Sequence, residues 1–227
     1  MTETERYLAK ASEGLASARA DARARRYNSV ANRSYYAVFQ AAVAALIDAG
    51  IRPATDDWGH RFVMSQFSGK LIRQHKLLPS ALRSTLQELF DRRVTADYST
   101  ENVSAGDARG AVTRAGRLVG AVLATAGTGS IREAEPVYGS EEAKTDRVVR
   151  ARATVLIEEV KQIILQKYPD REFELVEFGP RDYRLIVRGG RGNLEGIHNA
   201  LDGRTSDILV DHDVWIVVVA QSKRQAA

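Results

Sequence analysis

The 227-residue chain has no cysteine, which excludes disulfides and thiolate metal sites and fits a reducing compartment. No apolar run approaches the length of a membrane-spanning helix, so no membrane segment is expected. The opening residues, with Glu3 and Glu5, lack the basic and apolar regions of a signal peptide. A cytoplasmic protein is the expectation. Metal signatures are missing as well: the four histidines form no H-x-x-x-H or H-E-x-x-H pair, and no calcium-type aspartate and glycine loop occurs. Neither a metal nor another cofactor is expected.

The chain does have enough apolar residues, 44%, for one large core or two small ones. Its charge is uneven. Residues 1–126 carry 18 Lys and Arg against 12 Asp and Glu, and 15 of those 18 cations are Arg. The remaining residues carry 15 against 17. Arginine presents a planar fork suited to phosphate, so RNA and ordinary solvated helix faces both remain open as reasons for the excess.

Residues 27–51 hold the strongest pattern. Val30, Tyr35, Val38, Phe39, Ala42, Val43, Leu46 and Ile47 recur at helical spacing, and with Tyr36 they make two stripes rather than one. A helix wrapped on most sides follows. Asn32 and Arg33 stand out, because a guanidinium inside a bundle needs a partner or a ligand. A first helix is expected over 4–24, with Ser29 capping the second and Gly50 stopping it. A third should begin near Asp56 or Asp57, a fourth should open at Pro79 and Ser80 and run to about Ala96, and a fifth should span 104–126. The reading is an all-α, up-and-down bundle of about five helices.

The candidate chemistry lies at the end of the fourth helix, at Arg92, Arg93, Asp97 and Tyr98. Arg93 and Asp97 stand at i and i+4, a spacing worth only ~0.3–0.5 kcal/mol on a surface. Alternatively, Asp97 and Tyr98 could face Arg33 on the second helix and form a satisfied polar cluster. The run Asn32-Arg33-Ser34-Tyr35-Tyr36-Ala37, then Gly59-His60, then Arg93-x-x-Ala96-Asp97-Tyr98 and an alanine-rich last helix, resembles a HEPN domain over about residues 4–124.

That resemblance implies a helical bundle, a homodimer through it, and an RNA partner, with Asn32, Arg33, Arg92 and Arg93 as RNA-binding residues. Many HEPN proteins are metal-independent endoribonucleases of toxin–antitoxin and defence systems, while others are inactive scaffolds or partner proteins that bind protein or nucleotide. A cognate antitoxin or other partner protein is implied in either case. The family's nuclease motif is an arginine followed a few residues later by a histidine. Here Arg92 is followed by four residues and then Asp97, so Arg92, Asp97 and Tyr98 are the catalytic candidates with an aspartate at the histidine position. Arginine would stabilise the phosphorane formed as the 2′-hydroxyl attacks; aspartate can accept a proton, but with a pKa of ~3.9 it is a poor acid near neutrality. Two readings of Asp97 therefore stand, a weakened catalytic group or an ionic latch between the fourth and second helices. His60 could be a cap, a core residue or a cleft residue, and His75 lies in a polar segment.

Residues 127–147, rich in glycine and charge, read as a linker. It divides the bundle, 1–126, from a small α+β domain, 148–222, of order α-β-β-α-β-β. That order comes from a helix over 148–168, strands around Phe173 and Leu185, a loop at 189–192, a helix over 194–201, and strands over 207–210 and 214–219. Trp215 to Val219 read as its central strand, and Asp207, Asp211, His212 and Asp213 as solvated turn residues rather than metal ligands.

Overall fold

The computed structural model describes residues 1–53, 57–99, 102–126, 146–189 and 194–221. Helix α1 (Glu3–Arg23) starts with a capping box: the Thr2 hydroxyl accepts from the Glu5 N–H, and the Glu5 carboxylate accepts from the Thr2 N–H. It turns into α2 (Tyr27–Asp48) at a corner where Arg25 takes φ 58° and Arg26 pairs with Asp21. Ser29 does not cap α2; the helix begins two residues earlier, with Arg26 at the cap position. Gly50 ends it. With φ 72° it lets the Ile51 N–H reach the Leu46 carbonyl at 2.9 Å, a left-handed turn that a side chain would strain.

Helix α3 (His60–Gln66) runs on into a π-helical segment, Phe67–Gln74, and its cap is Gly59 rather than Asp57. Asp56 lies outside the described residues. Pro79 opens only a short turn, Ser80–Leu82, before α4 (Thr85–Tyr98). Helix α5 (Ala105–Thr125) is capped by Ser104, whose hydroxyl accepts from the Asp107 N–H at 3.0 Å. Helix α2 is the axis of this bundle and packs against α1, α4 and α5, with Tyr35, Val38, Ala42 and Leu46 fully buried. A Cβ on Gly14 would meet the Ala37 Cβ at 3.3 Å, so small residues on both helices set how closely α1 and α2 pack.

The C-terminal part holds α6 (Asp146–Lys167), β1 (Glu172–Gly179), β2 (Asp182–Arg188), α7 (Leu194–Leu201), α8 (Arg204–His212) and β3 (Trp215–Gln221). Strands β1 and β2 form an antiparallel hairpin, and β3 pairs parallel to β2. Two expectations are corrected. Residues 207–210 belong to α8 and not to a strand, so the order is α-β-β-α-α-β. Ile208 and Leu209 point inward while Asp207 and Asp211 do not, and a run this short cannot separate a helical from a strand period. The central strand is β2, and β3 lies at the edge of the pairing order.

Strand β3 is nevertheless buried on both faces. Ile216 and Val218 pack with Leu185 against Leu156, Val160 and Ile164 of α6. On the other face Val217 and Val219 join the bundle core beside Leu86, Leu89 and Phe90 of α4. Each such valine contributes on the order of 1.5–3 kcal/mol. The sheet is thus seated on α4. The expected linker lies outside the described residues except for its last two positions, which begin α6; of the loop 189–192 only Gly189 is described. Among the described residues, no helix is long and apolar enough to cross a membrane.

Candidate functional site

Adjacent residues of a helix are turned about 100° apart, and α4 uses that turn to send Arg92 and Arg93 to different sides. Arg92 faces the C-terminal part and is fully buried, 0% exposed. Its guanidinium bonds the Glu195 carboxylate of α7, with Glu88 one turn back at 3.9 Å. Arg114 of α5 completes the group, reaching Glu195 at 3.0 Å and Glu88 at 2.9 Å. Two guanidiniums and two carboxylates therefore compensate one another, with Arg92 fully buried and the other three partly exposed. Burial pulls the Arg92 guanidinium down from its usual value, against the pull of Glu195. Burial also works to raise Glu195, but Arg114 and Arg92 outweigh it and hold that carboxyl below the usual range. Gly110 makes room for the contact, since a Cβ there would stand 2.9 Å from Glu195 Oε2. The void beside Arg92 measures about 20 Å3, enough for one water and not for a phosphate.

Next to this quartet, a chain of polar groups crosses the same junction. The Trp215 indole N–H donates to Gln87 Oε1 at 2.9 Å, the Gln87 amide donates to Asp91 Oδ1 at 2.7 Å, and Asp91 Oδ2 meets His198 Nε2 at 2.9 Å. Asp91 is 0% exposed, and burial pushes its carboxyl well above the carboxylate range despite the bond from Gln87. Burial, with Arg92 and Arg114 adding to it, pushes His198 well below the usual imidazole value.

Arg93 points the other way, over the rings of Tyr36 at 5.1 Å, Tyr35 at 5.7 Å and Phe90 at 5.9 Å. Asp97 lies 3.4 Å from Arg93 Nε and accepts from the Asn32 amide at 2.9 Å. The tie between α4 and α2 is therefore made by Asn32. Arg33, expected to supply it, is exposed and has no such partner among the described residues. Tyr98 is 66% exposed and sits under the Arg184 guanidinium of β2. The three catalytic candidates are not brought together: Arg92 faces α5 and α7, Asp97 faces α2, and Tyr98 faces solvent. His60 is packed among Tyr35, Phe39 and Phe90, with its Nδ1 2.6 Å from the Tyr35 hydroxyl; burial, reinforced by Arg93, lowers its pKa. His75 is exposed.

The acidic residues of α8 and its flanks are part-exposed, as turn residues would be, but they also pair with arginines of the bundle. Arg61 bonds Asp213 and lies 3.4 Å from Asp182, Arg73 bonds Asp211 at 2.6 Å, and Arg83 lies 3.6 Å from Asp207. Much of the bundle's arginine excess thus meets carboxylates of the same chain. No group of three or more His, Asp or Glu among the described residues is placed to hold a metal ion. Sequence reasoning missed Gln87, Asp91, Glu195 and His198. A signal existed: Gln87 and Asp91 stand at i and i+4 within the apolar stripe of Leu86, Leu89 and Phe90, and Glu195 and His198 share one face of a short apolar helix.

In the comparison with protein families, the HEPN domain matches residues 4–125. No curated protein matches the chain.

Proposed function

From the chain's membership of the HEPN domain family, which the match over residues 4–125 establishes, we propose that this protein binds RNA and that its C-terminal part holds it in a form that does not cleave. The observation that carries this is the burial of Arg92 against Glu195. Cleavage by an attacking 2′-hydroxyl needs cationic donors within hydrogen-bond reach of the phosphorane oxygens. Arg92 has neither the space nor a free charge for that. Asp97, at the motif's histidine position, accepts from Asn32, and a carboxylate donates protons poorly near neutral pH.

In this proposal residues 1–126 form the bundle, 127–147 a linker, and 148–222 a second domain acting as a built-in partner in a toxin–antitoxin or defence setting. A homodimer would use bundle faces other than the one α4 gives to the sheet. RNA binding draws support from the family and from exposed Arg33, with Arg93 partly exposed and sharing its charge with Asp97. A protein-only scaffold is the second reading, favoured by the pairing of Arg61, Arg73, Arg83 and Arg92 within the chain.

Titration of labelled RNA with the full chain across salt separates the two. RNA contacts weaken steeply as salt rises, whereas absence of affinity at low salt leaves the scaffold. Cleavage by the unaltered protein in EDTA, abolished by Arg92→Ala, would overturn the non-cleaving part.

A further inference from the structure

A groove of about 300 Å3 runs between the end of α4 and the β1–β2 hairpin, so both parts of the chain build it. Its floor is aromatic, with the rings of Phe90 and Trp215 4.9 Å apart. Its rim carries two aromatic side chains that a folding core would not leave in water, Tyr98 at 66% and Phe178 at 64% exposure. Between them lies Arg184, its guanidinium 5.3 Å from the Tyr98 ring and 4.9 Å from Phe178. No carboxylate among the described residues pairs with Arg184, in contrast to Arg61, Arg73, Arg83, Arg92 and Arg114. Arg93 stands on the opposite wall. Of the two acidic residues nearby, Asp182 is held by Arg61 at 3.4 Å, while Asp97 accepts from Asn32 at 2.9 Å and lies 3.4 Å from Arg93 Nε. Arg184 is thus the cation of the groove whose charge no carboxylate among the described residues meets, and Arg93 is the secondary one.

We propose that this groove seats an unpaired nucleotide of single-stranded RNA, its base on the aromatic floor and rim and its phosphate on Arg184 and Arg93. The proposal rests on the RNA-binding reading and adds the site and the strandedness. Ring faces interleaved with cations suit stacked bases joined by phosphates. A duplex keeps its bases paired and stacked away from such a surface, and an acidic peptide would satisfy the arginines while giving the ring faces nothing. The volume lies at the low end for ligand pockets, which suits one nucleotide rather than several.

Trp215 gives the test an internal reporter. In a Trp58→Phe background it is the chain's one tryptophan, and a base stacked on it quenches its fluorescence. The full-length protein is titrated with a single-stranded RNA oligomer, the same sequence as a duplex, a mononucleotide, and polyglutamate. Quenching and tight binding by the single strand are expected, weakened roughly tenfold or more by Phe178→Ala. Arg184→Gln should also weaken it and reduce the salt slope by about 0.7. Phe178 and Arg184 lie outside the cores, and a thermal melt confirms that both variants fold. RNA binding that neither substitution weakens overturns the groove and spares the RNA reading; absence of RNA binding overturns both. Equal binding of duplex or polyglutamate, or quenching by the mononucleotide alone, overturns the single-stranded RNA ligand.

Discussion

Glu195→Gln is the sharpest probe of the junction, because glutamine keeps the shape of the side chain while removing its charge and replacing one of the two oxygens that accept from Arg92 and Arg114 with an amide donor. Arg92 is fully buried, and stripping the partner from a fully buried ion pair costs about 3–5 kcal/mol. Two features reduce that figure. The Glu195 side chain is 30% exposed, and Glu88 remains 3.9 Å from Arg92, although it must then serve Arg114 as well. A loss of about 2 kcal/mol is the result, between the exposed and the fully buried cases. The apolar seat of Val217 and Val219 is untouched, so the sheet stays docked on α4 in most molecules. Its opening should still rise roughly thirtyfold. Hydrogen exchange is the appropriate measurement: amides of α4 and β3 should exchange faster by about that factor, while those of α1 are unchanged. An Arg92→Met/Glu195→Met double variant should recover part of the loss, since apolar replacement of a buried pair is often neutral. Exchange in α4 within ~0.5 kcal/mol of the unaltered protein would mean that Glu195 does not hold the junction, and the reasoning about Arg92 would fail with it.

The Asp91–His198 pair gives stability a distinctive pH profile. Burial lowers His198, so its contribution is lost as pH falls below the unfolded value of ~6.5; burial raises Asp91, so its contribution is lost as pH rises above ~3.9. The two slopes have opposite sign, so they offset one another where the windows overlap, each amounting to at most ~1.4 kcal/mol per pH unit within its own window. Thermal midpoints should show this: His198→Gln removes the offsetting histidine, so its midpoint should begin to fall as pH rises above ~3.9, and a His198→Gln midpoint that instead rises with pH from there would refute the buried, protonated Asp91. Trp215→Phe leaves the Gln87 amide oxygen without its indole donor at 2% exposure and should lower stability by about 1–3 kcal/mol in a denaturant titration. Asp97→Ala removes a part-exposed contact to Asn32 and Arg93 and should lower it by only ~0.5–1 kcal/mol; a loss above 3 would place Asp97 in a buried latch.

The bundle was legible because its signal is periodic over long segments: α2 buries Tyr35, Val38, Ala42 and Leu46 as their spacing requires. The C-terminal helices were harder. Residues 204–212 are too few for a helical period to outweigh a strand reading, and the aspartates at 207, 211 and 213 look like turn residues until the arginines opposite them are known. The candidate site was half legible. The sequence joins Asp97 to α2, and that tie exists, but it names Arg33 where Asn32 does the bonding. Neighbouring helix positions differ by about 100° in direction, and an apolar pattern locates the stripe better than its edges. Nothing local to α4 could show that Arg92 faces an acid 103 positions further along the chain.

The same helical turn decides what the arginine pair can do. A guanidinium that compensates a buried carboxylate is held by the cost of leaving it unpaired, so it cannot also wait, hydrated and free, for a phosphate. Arg92 and Arg114 are fixed in that way by Glu88 and Glu195, and Arg61, Arg73 and Arg83 are engaged nearer the surface by aspartates of the C-terminal part. The positive balance of residues 1–126 therefore overstates the charge offered to a polyanion. What remains for one includes exposed arginines of the bundle such as Arg19, Arg23, Arg33 and Arg117, Arg93 with part of its charge met by Asp97 at 3.4 Å, and Arg184, whose neighbours are rings rather than acids. Rings leave a cation's charge uncompensated and so leave it available. Arg184 is the clearest case: its guanidinium stands against the Tyr98 and Phe178 rings, and no carboxylate among the described residues pairs with it.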